Sequence, residues 1–328
     1  MTASREIHLV RRPDGMPKDS DFALVERVLP DPADGQVEVR NLYLSIDPAT
    51  RPRLTRGQDL DTVVGGFALG RVVGSRSPNL KEGDIVRGAY GYRDRYVADA
   101  RHLAKVEADP ALPLTVYLHV LGGAGFVAYG GLIEIGRMKA GEQVFVSTAA
   151  GSVGSLASQI AKLKGCSVIG STGADDKAAW LRDLGLDAVI NYKKEPIGDA
   201  LERATPKGID VYFDNVGGDH LEAALRRMNS LGRIAVCGMI STYNDQQVGV
   251  RNLSSIIYGR VNIRGFVGAD FLHLHPQFTE EMTGWLKDGR IKYQETLFEG
   301  LENAPKALIA LLKGANTGKM MVKLAEPA

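Results

Sequence analysis

Two rhythms of apolar residues divide the chain. Up to about residue 118 the apolar positions come in short runs. QVEVRNLYLSID (36–47) alternates as a half-buried strand does, and FALGRVVGSRS (67–77) and GDIVRGAYGYRDRYVA (83–98) are brief runs broken by glycine and charge. Many short strands separated by turn residues predict a partly closed β-barrel. Near Leu118 the pattern changes. LGGAGFVAYGGLIEIG (121–136) is rich in small residues and helix-like, and beyond it continuous apolar strands alternate with amphipathic helices. The predicted strands are 143–148, 167–172, 188–192, 211–215, 233–238 and 262–267. The clearest predicted helices are 152–164, 175–184, 218–230 and 250–258. In 152–164, Val153, Leu156, Ala157, Ile160 and Ala161 follow helical spacing and form one sheet-facing stripe. Buried strands joined by such helices predict a doubly wound parallel sheet. The tail, LFEGLENAPKALIALLKGANTGKMMVKL, returns to strand-like ends around one helix and is expected to rejoin the first unit. The expected division is 1–118 with 292–328, and 119–291.

A length of 328 residues is more than one hydrophobic core usually serves, which agrees with two domains. Forty basic against 39 acidic residues leave a net charge of +1, so nothing points to nucleic acid or an acidic partner. Cys166 and Cys237 stand in unrelated contexts, which excludes a disulfide framework and suits a reducing cytoplasm. The N-terminus has no long apolar stretch of a secretory signal, and no apolar run approaches membrane-spanning length. The expectation is a cytoplasmic protein without a membrane segment.

The chemistry starts at STAAGSVGS (147–155), between a predicted strand and a predicted helix. Its pattern is Ala149-x-Gly151-x-x-Gly154. Gly151 lets the backbone approach a pyrophosphate, Gly154 lets helix and strand pack closely, and the helix N-terminus offers free N–H groups to phosphate. Alanine at the first position is tolerable if the turn needs no positive φ there. This reads as a dinucleotide site. An NAD site usually carries Asp or Glu at the end of the second strand for the ribose hydroxyls. Here that strand ends IGST, followed by GADDK. A missing carboxylate and a cation, Lys177, suit a 2′-phosphate and so NADP(H). The competing reading of Lys177 is a solvated lysine paired with Asp175 or Asp176.

AAGSVGSLASQIAKLKGC, GADDKAAWLRDLGLDAVINYK, YFDNVGG, GRIAVCGMISTYN and GANTGKMMVKL together resemble the zinc-independent medium-chain dehydrogenase/reductases. Within these the chain looks most like the prostaglandin reductase and alkenal double-bond reductase group, which includes curcumin-type reductases. The resemblance runs through nearly the whole chain. It implies an α/β protein with a Rossmann domain and a GroES-like catalytic domain built from both chain ends. It also implies NADPH, and a homodimer joined through the edge strand near NIRGFVGAD. Gly151, Ser152, Val153 and Gly154 would meet the pyrophosphate, and Lys177 and Tyr192 the 2′-phosphate. Asn215 and Cys237, Gly238, Met239 and Ile240 would border the ribose and nicotinamide. Phe266 and Val267 would flank the nicotinamide, and Asn316 would reach it from the tail.

Zinc enzymes of this superfamily need cysteine and histidine ligands in the first domain, with an open coordination position. That domain has no cysteine, and His8, His102 and His119 are scattered, so no metal is expected. His273 and His275 read as a surface loop or helix start. Cys237 reads as a small buried side chain or, less simply, a nucleophile. Without a metal, hydride transfer to the β-carbon of an α,β-unsaturated ketone or aldehyde offers a route, because the charge moves to the carbonyl oxygen and a hydroxyl can stabilise it. Tyr243 matches a tyrosine of the family motif and is the candidate proton donor, with packing against the cofactor as the competing role. Ala49 stands where many members carry tyrosine in SIDPATR, and Ala269 aligns with a substrate-facing tyrosine of the prostaglandin-reducing branch. Both changes remove hydroxyls from the expected pocket and imply a wider pocket or a water-mediated proton step. Asp47 and Arg51 are expected to pair and shape that loop, with Arg51 otherwise touching substrate or cofactor. The rival readings are a quinone reductase of the same superfamily and a non-catalytic NADPH-binding scaffold or sensor.

Overall fold

The computed structural model describes residues 2–244 and 249–326. The chain divides into two compact units, residues 1–118 with 295–328, and residues 119–294.

The first unit is built on a mostly antiparallel seven-stranded sheet. Its long strand, Gln36–Ser45, pairs antiparallel with Ala68–Ser75, with Arg95–Asp99 along its first half, and with the tail strand Lys319–Lys323 along its end. The run at 83–98 divides into Ile85–Gly88 and Arg95–Asp99, because Gly91 turns the chain with a φ of 84°. The tail strand is set in register by Met321 opposite Ser45 and Val322 opposite Leu44. Its partner Glu295–Glu299 runs parallel to it, and the helix Ala304–Leu312 joins the two. Ala304, Ala307, Leu308 and Leu311 of that helix enter one core cluster with Ile7, Leu44 and Leu54. Each buried leucine contributes about 2 kcal/mol, so hydrophobic contact fastens the returning tail as well as the ladder does.

The second unit is a six-stranded parallel sheet. In chain order its strands are Gln143–Val146, Ser167–Thr172, Ala188–Asn191, Ile209–Asp214, Met228–Val236 and Asn262–Gly265. Across the sheet they lie in the order third, second, first, fourth, fifth, sixth. This is the doubly wound arrangement, and its reversal point lies between the first and fourth strands. Val144, Val146, Phe213 and Ala235 face one apolar cluster, with Leu156, Ala157, Ile160 and Ala161 of the helix Ser152–Leu163 packed on it.

Several element limits differ from the sequence pattern. The helix Gly218–Arg227 ends earlier than 230, because Met228 turns extended (φ −62°, ψ 132°) and pairs with Ile209. The helix expected at 250–258 starts only at Ser254. The segment before it is held by the preceding helix: Arg251 donates to the Glu222 carboxylate, and the Asn252 amide donates to the Glu222 carbonyl. The sixth strand stops at Gly265, where Phe266 turns its ring toward Phe271 (5.3 Å) and Phe213 (6.1 Å). His275 opens the helix His275–Lys287, with proline in its first turn. Lys292 stays with the second unit, since Gln159 donates to its carbonyl and accepts from its N–H, both at 2.8 Å.

Candidate cofactor site

The carboxyl ends of the first and fourth strands meet at the reversal point of the sheet, where ligands of such folds bind. After the first strand, Thr148 takes a positive φ of 51° and Ala149 does not. The strain of this turn sits one residue before the fingerprint position, which explains why alanine is accepted there. Ala149 is fully buried, and its N–H donates to the Ser171 carbonyl. Gly151 is the extended cap (φ −81°, ψ 176°) of the helix Ser152–Leu163. A Cβ on Gly154 would overlap the Thr148 carbonyl oxygen, so only glycine lets helix and turn approach this closely. The Ser152 hydroxyl is buried without a hydrogen-bond partner at the first position of the helix. Val153 is partly buried against the core. Free helix N–H groups, close backbone approach and an unsatisfied hydroxyl fit a pyrophosphate.

Opposite this turn, Asp214 is buried at the end of the fourth strand. Its Oδ1 accepts from the Tyr212 hydroxyl (2.6 Å), the Gly217 N–H (2.8 Å) and the Val216 N–H (2.9 Å). Burial pushes this carboxyl upward, and those donors hold it back. Asn215 donates its side-chain amide to the Ser147 carbonyl (2.7 Å) and its backbone N–H to the Ser147 hydroxyl (2.9 Å). The two strand tips are thereby tied together. The Cys237 and Gly238 N–H groups donate to the Asp214 carbonyl, which ties the fifth strand tip to the same point.

Burial and the neighbouring Asp214 push the Cys237 thiol up to about 12, so it stays protonated and is a poor nucleophile. Met239 packs near Gly217, and Ile240 begins a short helical turn, Ile240–Thr242. Tyr243 folds back so that its hydroxyl lies 3.4 Å from where a Cβ on Gly238 would stand. Burial raises its phenol above the usual value, so it carries its proton at neutral pH. Beyond the sixth strand, Phe266 is packed inward, while Val267 and Ala269 are exposed.

The tip of the second strand carries Ser171 and Thr172, with no carboxylate. A Cβ on Gly173 would lie 2.9 Å from the Tyr192 hydroxyl and 3.2 Å from the Lys193 side chain. Lys177, in the first turn of the helix Asp175–Asp183, is pulled below its ordinary value by burial and by the charge of Lys193, against the opposing pull of Asp176. Asp175 accepts from Lys194 (2.6 Å) and Asn191 (2.9 Å), and the acid whose charge favours the Lys177 ammonium is Asp176. The structure therefore brings Gly173, Lys177, Tyr192 and Lys193 together. Lys193 was not foreseen, although it directly follows Tyr192 in NYKK.

Ala49, Arg51 and Asn316 belong to the first unit. Ala49 caps the helix Thr50–Arg56. Arg51 is buried and donates to the Thr55 hydroxyl and the Gly15 carbonyl, both at 2.5 Å. The pairing expected between Asp47 and Arg51 is replaced by another. Asp47 accepts from Lys319 (2.6 Å) and from the Ser45 hydroxyl, and Lys319 is only 1% exposed. The returning tail strand carries this lysine beneath the loop, a contact that sequence spacing does not show. Burial pushes the Asp47 carboxyl up, but Lys319 and Ser45 outweigh it and leave it below the usual range. The Asn316 amide donates to the Gly318 carbonyl (2.8 Å). Among the described residues no three His, Cys, Asp or Glu side chains converge as a metal site.

Residues 5–106 match the family described as the N-terminal domain of oxidoreductase, and residues 152–287 match the family described as zinc-binding dehydrogenase. The 2-alkenal reductase (NADP(+)-dependent) of Nicotiana tabacum is 39% identical, over 98% of this chain and 97% of its own. Prostaglandin reductase 1 of Bos taurus is 40% identical, over 94% of this chain and 95% of its own. The crystal structure of CurA in complex with NADPH from Vibrio vulnificus superposes with a TM-score of 0.93 at 36% identity, over 98% of this chain and all of that one. The chain belongs to the zinc-independent medium-chain dehydrogenase/reductases, in the group of the prostaglandin and alkenal double-bond reductases.

Proposed function

We propose that this protein is an NADPH-dependent ene-reductase acting on small α,β-unsaturated ketones or aldehydes. The observation that carries the cofactor choice is the acid-free tip of the second strand, with Lys177 and Lys193 beside Tyr192. An ammonium on Lys177 that burial and the nearby charge of Lys193 disfavour is suited to a phosphate dianion. The full-length likeness to an alkenal reductase supports the reaction class. Bound NADPH supplies the hydride for the β-carbon. Gly151, Ser152, Val153 and Gly154 hold the pyrophosphate through backbone N–H groups and the unpaired Ser152 hydroxyl. Asn215, Cys237, Gly238, Met239 and Ile240 border the ribose and nicotinamide, with Phe266, Val267 and Asn316 completing that end. Tyr243, protonated and folded over Gly238, donates the proton that quenches the enolate. Ala49, Arg51 and Ala269 are assigned to the substrate pocket, where the two alanines leave room for a wider substrate. The first unit serves as a GroES-like catalytic domain.

The protein acts in the cytoplasm as a homodimer in this reading. The sixth strand, Asn262–Gly265, is the sheet edge. The exposed apolar side chains Leu253, Ile257, Tyr258 and Leu272 supply a surface beside it. To test the activity, the protein and NADPH are incubated with a panel of enones and enals and, separately, with quinones, and the products are identified. Saturated ketones or aldehydes are expected. Enones returned unchanged while quinones are reduced would make the protein a quinone reductase. NADPH binding without turnover of either class would leave a scaffold or sensor.

A further inference from the structure

Several buried polar groups of the nucleotide unit lie outside the roles assigned above, and His220 is one of them. His220 stands in the first turn of the helix Gly218–Arg227, is 6% exposed, and its Nε2 is buried without a hydrogen-bond partner. Its ring meets Tyr192 nearly at a right angle (83°), with centroids 5.0 Å apart. The Tyr192 hydroxyl in turn covers Gly173, directly after the second strand tip. At that same tip the Ser171 hydroxyl is also buried and unpaired. Burial pulls the imidazole down to about 4, against the pull of Asp219, so the ring is neutral near pH 7 and carries one N–H. An unsatisfied buried nitrogen costs stability, and a protein keeps one where something else completes it.

We propose that His220 is a specificity-determining residue for the phosphorylated adenosine end of the cofactor: its ring sets Tyr192 beside Gly173, and its unpaired Nε2 is completed by an oxygen of the adenosine 2′-phosphate. The inference rests on the NADP(H) reading above. A neutral N–H that reaches the same phosphate would add a directional bond to the charges of Lys177 and Lys193. The arrangement has an unusual consequence. In the free protein the nitrogen is a liability, so removing it leaves stability unchanged or raises it. In the complex the nitrogen is used, so removing it weakens binding. A merely structural histidine would move both quantities the same way.

The test uses His220→Phe, which keeps a ring, and His220→Met in case the larger ring overpacks the site. Calorimetry measures binding of adenosine 2′,5′-bisphosphate and of 5′-AMP, and thermal unfolding is followed without ligand. Expected are about tenfold weaker bisphosphate binding, AMP binding changed less than twofold, and an unliganded midpoint equal to or above wild type. Unchanged bisphosphate affinity in the variants overturns the proposal. So do equal losses for both probes, or a lowered midpoint in both variants accompanying the loss. Failure of the underlying reading shows in wild type instead, as bisphosphate binding no tighter than AMP.

Discussion

Replacing Lys177 by alanine tests the cofactor assignment most directly. Lys177 sits half-buried at the start of its helix, and the nearby charge of Lys193 together with burial makes its ammonium costly in the free protein. A phosphate dianion would remove that cost and gain a charge-assisted hydrogen bond, worth about 1.5–3 kcal/mol. Two features place the net effect at the low end. Lys193 and the Tyr192 hydroxyl both remain beside Gly173 to serve the phosphate. A loss of about 1.5–2 kcal/mol is therefore expected, or roughly 10–30-fold in NADPH affinity. NADH lacks the phosphate, so its affinity should change less than twofold. Lys193→Ala alone should behave similarly, and the double variant should lose more than the sum of the singles, because each remaining lysine partly covers for the other. The assay is titration of nicotinamide fluorescence with both cofactors for wild type, both singles and the double variant. Equal losses for NADPH and NADH, or none for either, would remove the lysines from the 2′-phosphate and refute the reasoning.

Tyr243→Phe should lower the rate of enone reduction while the dissociation constant of NADPH stays within twofold; an unchanged rate in stopped-flow turnover would assign the proton to water or a ribose hydroxyl. Lys319→Met should destabilise the protein by about 2 kcal/mol, below the usual cost of breaking a buried pair because the Asp47 side chain is 37% exposed. Its sign with pH is fixed by the lowered carboxyl of Asp47. In wild type this contribution is complete above the unfolded carboxylate value of about 4 and fades as pH falls through the folded value. Urea midpoints of wild type and variant should therefore converge as pH drops from 6 to 3, and a constant gap would contradict the pairing. Tyr258→Asp, at a side chain 84% exposed on the helix beside the edge strand, should convert a dimer to monomer by light scattering, whereas a wild type already monomeric would end the dimer proposal.

What the sequence disclosed followed the range over which each cause acts. The sheet was legible because hydrophobic periodicity is local: Val144, Val146 and Phe213 declare a buried strand from their own neighbours. The glycine turn was legible for the same reason, although the positive φ falls on Thr148, which no fingerprint marks. The errors arise where a distant segment decides a local outcome. Met228 leaves its helix because Ile209 waits in the adjacent strand. Asp47 takes Lys319 from the far end of the chain, so Arg51, four residues away and suitably charged, goes to Gly15 and Thr55 instead. Ion pairs guessed from proximity in sequence are weak guesses for this reason: the electrostatic gain depends on distance and burial in space, which only the closed fold sets. The proposed phosphate end shows both cases in one site. Lys177 could be found by counting from the glycine turn. Lys193 and His220 could not, because they reach that site from the loop after the third strand and the helix after the fourth, and both meet Tyr192 or Gly173 only once the sheet has ordered its strands.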